Sequence, residues 1–221
     1  MSTKPILFNT EMVRAILDGR KSCTRRICKD ANECTVPDMD YYDPDKRTYA
    51  VHNYADKKHT DKLSIAERTC PICPGDILYV RETWSKGLER YIYRADYSDT
   101  EKFYRGGKEI EMKWHPSIHM RKETARIWLK VTDVRVERLQ DITPKDAENE
   151  GVGNLFYEDI GYSENNYGTE VDPEYGIAKE QFAWLWDSTI KKSDLDRYGW
   201  NANPWVWVIE FERCERGGID G

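Results

Sequence analysis

The sequence predicts an α+β fold in which β structure dominates: a small mixed sheet closed into a barrel, with helices on its flanks. Three observations lead there. Segments of strand character recur along the chain, long returns between them make their pairing non-local, and only three or four segments carry helical periodicity. Closure is the expected solution for so short a sheet, because a barrel leaves no unpaired edge strand.

KPILF, residues 4–8, reads as a first short strand. Asn9 or Thr10 then caps a helix whose apolar residues Met12, Val13, Ile16 and Leu17 recur at helical spacing. Gly19 ends it, since glycine takes the left-handed conformation that closes a helix C-terminus and sends Arg20 onward in a fixed direction. Residues 29–69 are polar, mix Asp with Tyr and keep no sustained period, so an inserted loop region is expected there. Pro74, Gly75 and Asp76 signal a turn ahead of the strand ILYVRETW, 77–84, with YIYRA, 91–95, as its neighbour across the hairpin loop SKGLER.

TARIWLKVTDVRVERL, 124–139, alternates for longer than an average strand, which calls for one long bent strand or two consecutive ones. Thr143 and Pro144 open the short helix PKDAENEG as N-cap and first helical residue, and Gly151 closes it. A second insertion, about 152–176, is rich in Gly, Asn, Tyr and Glu. IAKEQFAWLWDSTIKK, 177–192, sets Phe182, Leu185, Trp186 and Ile190 on one side of a helix. NPWVWVIEFERCE, 203–215, alternates as a central strand should. The whole reads as one domain, 1–221, carrying two insertions.

A chain of 221 residues, 39% hydrophobic, can bury a real core. Its formal charge of -6 gives it no general attraction for nucleic acid, so an anion site has to be local. No apolar run approaches the ~18 residues of a membrane span, and MSTKPILFNT lacks the long apolar stretch of a secretion signal, so a cytoplasmic protein without a membrane partner is expected. In a reducing compartment the six cysteines are thiols or metal ligands before they are disulfides. Cys70 and Cys73 have CxxC spacing and with Cys28 and Cys34 define one possible zinc set, but five residues separate the second pair, against the usual two to four. No metal and no other cofactor is the expectation.

GRKSCTRR, 19–26, gathers Arg20, Lys21, Arg25 and Arg26 around Ser22, Cys23 and Thr24 at the helix-to-strand junction. Such a cluster is either an exposed basic turn, the commonest fate of local charge, or a site for an anion or for charge that develops in a reaction. VRETW, 80–84, offers Arg81, Glu82 and Trp84 to pair with a base edge and stack on its face. The structural alternative makes Trp84 core at a strand end and salt-bridges Glu82 to an arginine. His115 and His119, in WHPSIHM, are candidates to line the same pocket.

A strand, a helix ending in GRK, then TRR, PGDILYVRETW, a valine-rich strand running into LQDITPKDAENEG and a terminal WVIEFER strand together resemble the ASCH domain. The likeness spans nearly the whole chain apart from the two insertions. It implies a PUA-like β-barrel of a kind common in phages and prophages. The small relatives are amidohydrolases that remove the acetyl group from N(4)-acetylcytidine, using a lysine and a threonine from GRKxxT and a glutamate from the later helix. On this chain the resemblance assigns Lys21, Thr24 and Glu150, with Glu148 the neighbouring alternative within DAENEG. Other relatives bind or cleave RNA, so an RNA or modified-DNA binding module stands beside the enzyme as the alternative.

Acyl transfer needs a nucleophile, a base for its proton and donors aimed at the oxyanion. Thr24 supplies the hydroxyl. A free lysine, with pKa ~10.4, is a poor base unless burial and like charges lower it, and Arg20, Arg25 and Arg26 supply like charges beside Lys21. A carboxylate at Glu150 acts in the opposite sense, so its expected work is on the leaving-group proton or a water. Arg20, Arg25, Arg26, Arg81, Glu82 and Trp84 are the expected substrate-binding residues, for an N-acylated pyrimidine nucleoside or base, free or within RNA or DNA. Lys21 and Thr24 lie three apart and would face opposite sides of a regular strand, so the junction has to bend. A third reading, in which acidic, tyrosine-rich loops dock a host protein, has no motif behind it.

Overall fold

The computed structural model describes residues 2–29, 36–43, 46–54, 62–69, 71–87, 90–152 and 173–216. In chain order the elements are β1 (Thr3–Leu7), α1 (Thr10–Leu17), β2 (Cys23–Ile27), β3 (Val36–Asp43), β4 (Thr48–Tyr54), β5 (Lys62–Thr69), β6 (Ile77–Arg81), β7 (Trp84–Lys86) and β8 (Tyr91–Tyr93). There follow β9 (Phe103–Arg105), β10 (Lys108–Ile110), β11 (Trp128–Arg138), α2 (Pro144–Asn149), α3 (Pro173–Thr189), α4 (Leu195–Tyr198) and β12 (Trp205–Cys214), with short 3-10 turns between. The protein is mixed α and β. Its main sheet has five strands in the order β1-β6-β11-β12-β2. Among the described residues β1 and β2 are its two ends, so the sheet is open where the sequence led us to expect closure. Pro5 fits an end strand: it lies in β1 opposite Tyr79, and a residue with no N–H is tolerated where one side of the strand lacks a partner.

The chain divides into two compact units, Met1–Lys21 with Pro74–Thr132 and Phe211–Gly221, and Ser22–Cys73 with Asp133–Glu210. In the first unit β1 runs parallel to β6, and β6 antiparallel to the start of β11. Asn9 caps α1, its side-chain oxygen accepting from the Met12 amide at 2.8 Å, and Val13, Ala15 and Ile16 are buried. Gly19 takes φ +76°, a region glycine enters without steric cost, and the amides of Arg20 and Lys21 both donate to the Ala15 carbonyl. The helix therefore ends in a tight, fixed turn. The strand expected over 77–84 ends at Arg81, where its ladder with β1 ends opposite Leu7, and Trp84 begins the separate hairpin β7-β8.

In the second unit β2 pairs antiparallel with β12, Cys23 opposite Glu210 and Arg25 opposite Val208. Leu139, Ile142, Ala147, Val152, Phe182, Trp186, Val206 and Val208 form its core. Burying the Phe182 side chain alone stabilises this unit by about 2 kcal/mol. Thr143 caps α2 in a capping box, with its hydroxyl accepting from the Asp146 amide and the Asp146 carboxylate accepting from the Thr143 amide. Gly151, at φ +90°, follows the last turn.

Within the first insertion the expected loop is a three-stranded antiparallel sheet, β3-β4-β5. A backbone ladder asks for extended chain and register, not for apolar alternation, so a polar sheet leaves little periodic signal in its sequence. Most of the second insertion lies outside the described residues. Among the described residues no helix is long and apolar enough to cross a membrane.

Removing the cap by Thr143→Ala should destabilise the protein by about 1 kcal/mol, read as a lower urea midpoint at unchanged slope. An unchanged midpoint would show that α2 is held by its packing alone.

Candidate functional site

In the second unit, β2 and the end of α2 meet. The Ser22 amide donates to the Asn149 carbonyl at 2.9 Å, and one residue further on Glu150 forms the C-cap of α2. Glu150 Oε1 accepts from Arg25 Nη1 at 3.3 Å. Arg25 also donates from Nη2 to Glu137 Oε1 at 2.6 Å and lies 3.7 Å from Asp146 Oδ2. Its Cζ sits 5.7 Å from the centre of the Phe182 ring. Although burial opposes the charge, the carboxylates of Glu150 and Glu137 hold the guanidinium above its ordinary range, so Arg25 is a permanent cation.

The alternation of β2 puts Arg25 on the side of Val206 and Val208, which belong to the core of this unit, and Thr24 and Arg26 on the other side, opposite Ile209 and Trp207. Thr24 is 1% exposed and Glu150 3%. Arg26 is half-buried and donates to the Arg25 carbonyl. Lys21, 3% exposed, belongs to the first unit and precedes β2. Strand alternation therefore does not govern it; the turn that ties its amide to Ala15 does, and its ammonium stands 5.5 Å from the centre of the Phe8 ring. Arg20 pairs with Asp18 at 3.0 Å.

VRETW takes the structural alternative for its carboxylate. Glu82, 1% exposed, receives both Nε and Nη2 of Arg126, at 2.9 and 3.0 Å, and burial holds its carboxyl above the ordinary glutamate range against that pairing. Arg126 also meets Asp96 and lies 4.1 Å from the Tyr93 ring centre. Arg81 donates to the carbonyls of Met120 and Ile118 and so clamps the turn that carries His119. Trp84 packs edge-on to Tyr91 at 5.4 Å and against His115 at 4.8 Å, and among the described residues its buried indole N–H meets no acceptor. A cavity of about 390 Å³ in the same unit is lined by Arg94, Phe103, Glu111 and Trp114 among others, and by none of the expected site residues.

Two partners escaped the sequence reading, Glu137 and Arg126. Each is one charged residue in an alternating run, and nothing local marks it as the partner of a buried charge. Among the described residues no cluster of His, Cys, Asp or Glu is placed to hold a metal. Cys34 and Cys70, needed for the zinc set, lie outside the described residues.

No family model and no curated protein matches the chain. A solved structure described as the crystal structure of hypothetical protein PH0355 aligns over 97% of this chain and 100% of its own, at 15% identity and a TM-score of 0.34. At that TM-score the likeness carries no argument about fold or function.

A carboxyl whose folded pKa is raised adds stability below the unfolded pKa and loses it as pH rises through the folded value. Burial raises Glu82 in this way. Wild type should therefore lose stability relative to Glu82→Gln as pH climbs from the ordinary carboxylate range upward. Urea midpoints of the two proteins across that range would show the trend, and a constant gap would contradict it.

Proposed function

We propose that this chain is an ASCH-type protein with a PUA-like core that removes the acyl group from N-acylated pyrimidine nucleosides or bases, N(4)-acetylcytidine being the type substrate. Thr24 is the nucleophile, Lys21 takes its proton, and Glu150 serves the proton of the departing amine. The observation that carries the reading is the join of β2 to the end of α2, through Ser22 to Asn149 and Arg25 to Glu150; it brings Glu150 to the strand that carries Thr24, whose own side chain faces the side of β2 away from Arg25. These are the two segments to which the resemblance assigns the chemistry, and they are more than a hundred residues apart in the chain.

Burial is the second support. An amine, a hydroxyl and a carboxylate withdrawn from water are retained where hydrogen bonds or chemistry compensate them. In the proposed step the Thr24 oxygen attacks the acyl carbonyl as its proton passes to Lys21. The carbon–nitrogen bond then breaks, the exocyclic amine leaves with the proton that Lys21 took from Thr24, relayed by Glu150, and water releases the acid from the threonine ester and returns a proton to Thr24.

The alternative binding module asks the arginines to reach phosphates. Arg25 is enclosed by carboxylates and Arg81 is bonded to backbone carbonyls, so both are committed within the protein. The net charge of -6 opposes a phosphate track as well.

Incubation with a panel of N(4)-acylated cytidines, followed by chromatography, should show release of cytidine and the carboxylic acid. Lys21→Ala should abolish turnover with the fold intact, and Lys21→Arg should fail too, because arginine keeps its proton. A fully active arginine variant would remove the base role. An unmodified oligonucleotide should bind weakly, with a shallow dependence on salt. Sub-micromolar affinity with a steep salt slope would replace the enzyme reading with the binding module.

A further inference from the structure

Arg25 stands at the centre of a ladder of alternating charges in the second unit. Its side chain is 0% exposed, and a cation so far from water is kept only against well-placed carboxylates. Glu137 Oε1 accepts twice from it, from Nη2 at 2.6 Å and from Nε at 3.2 Å. The other oxygen of Glu137 accepts from Arg135 Nε at 3.3 Å, and Arg135 is paired in turn with Glu210 and, at 3.5 Å, with Asp133. Exposure falls inward along this path, from 42% at Glu210 and 35% at Arg135 to 19% at Glu137 and 0% at Arg25. Beyond Arg25, at the inner end, is Glu150, 3% exposed.

The geometry points to Arg25 as the positioning residue for Glu150: its fork is braced on Glu137 and its remaining amino group holds the Glu150 carboxylate. The catalytic part of this inference rests on the proposed amidohydrolase reading. Two features make Arg25 suited to the task. A guanidinium is planar and rigid, so Glu137 on Nε and Nη2 fixes where Nη1 points, which a lysine cannot do. The backbone of Glu150 is already fixed, at φ −73° and ψ −9° at the end of α2, with Gly151 turning the chain directly after it. What remains to be set is the side chain, and Nη1 of Arg25 meets its Oε1. Asp146, one turn back along α2 and 3.7 Å from Arg25, adds to the charge around the guanidinium without replacing Glu137.

A double-mutant cycle tests this in two independent readouts. Arg25→Met, Glu150→Gln and the double variant are compared in urea unfolding and in deacylation of N(4)-acetylcytidine. If Arg25 acts through Glu150, the unfolding constants deviate from additivity by about tenfold or more. Each single change lowers kcat with little change in KM, and the double variant is no slower than the worse single one. Additive unfolding constants, or an Arg25→Met protein with undiminished kcat, would overturn the inference. Should Arg25→Met fail to fold, Glu137→Gln keeps the cation and loosens its brace. It should then lower kcat at unchanged KM, and an unaltered kcat would again overturn the inference. A wild type that does not hydrolyse the substrate, beside strong coupling in unfolding, would end the amidohydrolase reading and leave the hold of Arg25 on Glu150 standing. Turnover with an additive cycle would do the reverse.

Discussion

A guanidinium cannot stay inside a protein without carboxylates around it, and the second unit is arranged about that requirement at Arg25. β2 carries the cation, β11 brings Glu137, and α2 brings Asp146 and Glu150. If β2 slipped by one residue against β12, the charge would be stranded, because the slip turns Arg25 to the other face. The pairing of Arg25 with Val208 across β12 and the capping box of α2 thus serve a common end. They hold β2 within hydrogen-bonding distance of Glu137 and Glu150, each more than a hundred residues further along the chain.

The basic octet that dominates the N-terminal sequence is accordingly not a uniform patch. Arg20 answers Asp18, Arg25 is enclosed, Arg26 is half-buried against the backbone, and Lys21 is almost wholly out of solvent. The first unit solves the same problem a second time. Glu82 is a buried carboxylate and Arg126 its bidentate partner.

How far this was legible can be seen residue by residue. α1 and α2 announce themselves through Asn9, Gly19, Thr143, Pro144 and Gly151, since caps are local chemistry. β11 and β12 are read from their β-branched and aromatic residues in extended alternation, although Val206 to Ile209 are buried on both faces. The sheet of β3, β4 and β5 was not, for its residues are polar and its register comes from pairing rather than from pattern. In the site, the order of GRKSCTRR and DAENEG selected Lys21, Thr24 and Glu150. That Arg25 would meet Glu150, and through Glu137 a surface arginine, depends on the lateral order of strands, which no window of sequence contains. Glu82 could be read as one half of an ion pair, but which arginine completes it is a tertiary fact.

The proposed function asks Thr24 to attack the acyl carbonyl of an acylated pyrimidine amine, with Lys21 and Glu150 serving the protons. A crystal structure of Thr24→Ala with N(4)-acetylcytidine bound addresses it directly. The account predicts the acyl carbonyl beside the position of the missing hydroxyl, with Lys21 and Glu150 in hydrogen-bonding reach of the reacting atoms. A nucleoside seated elsewhere, for instance in the cavity lined by Phe103 and Trp114, would contradict it.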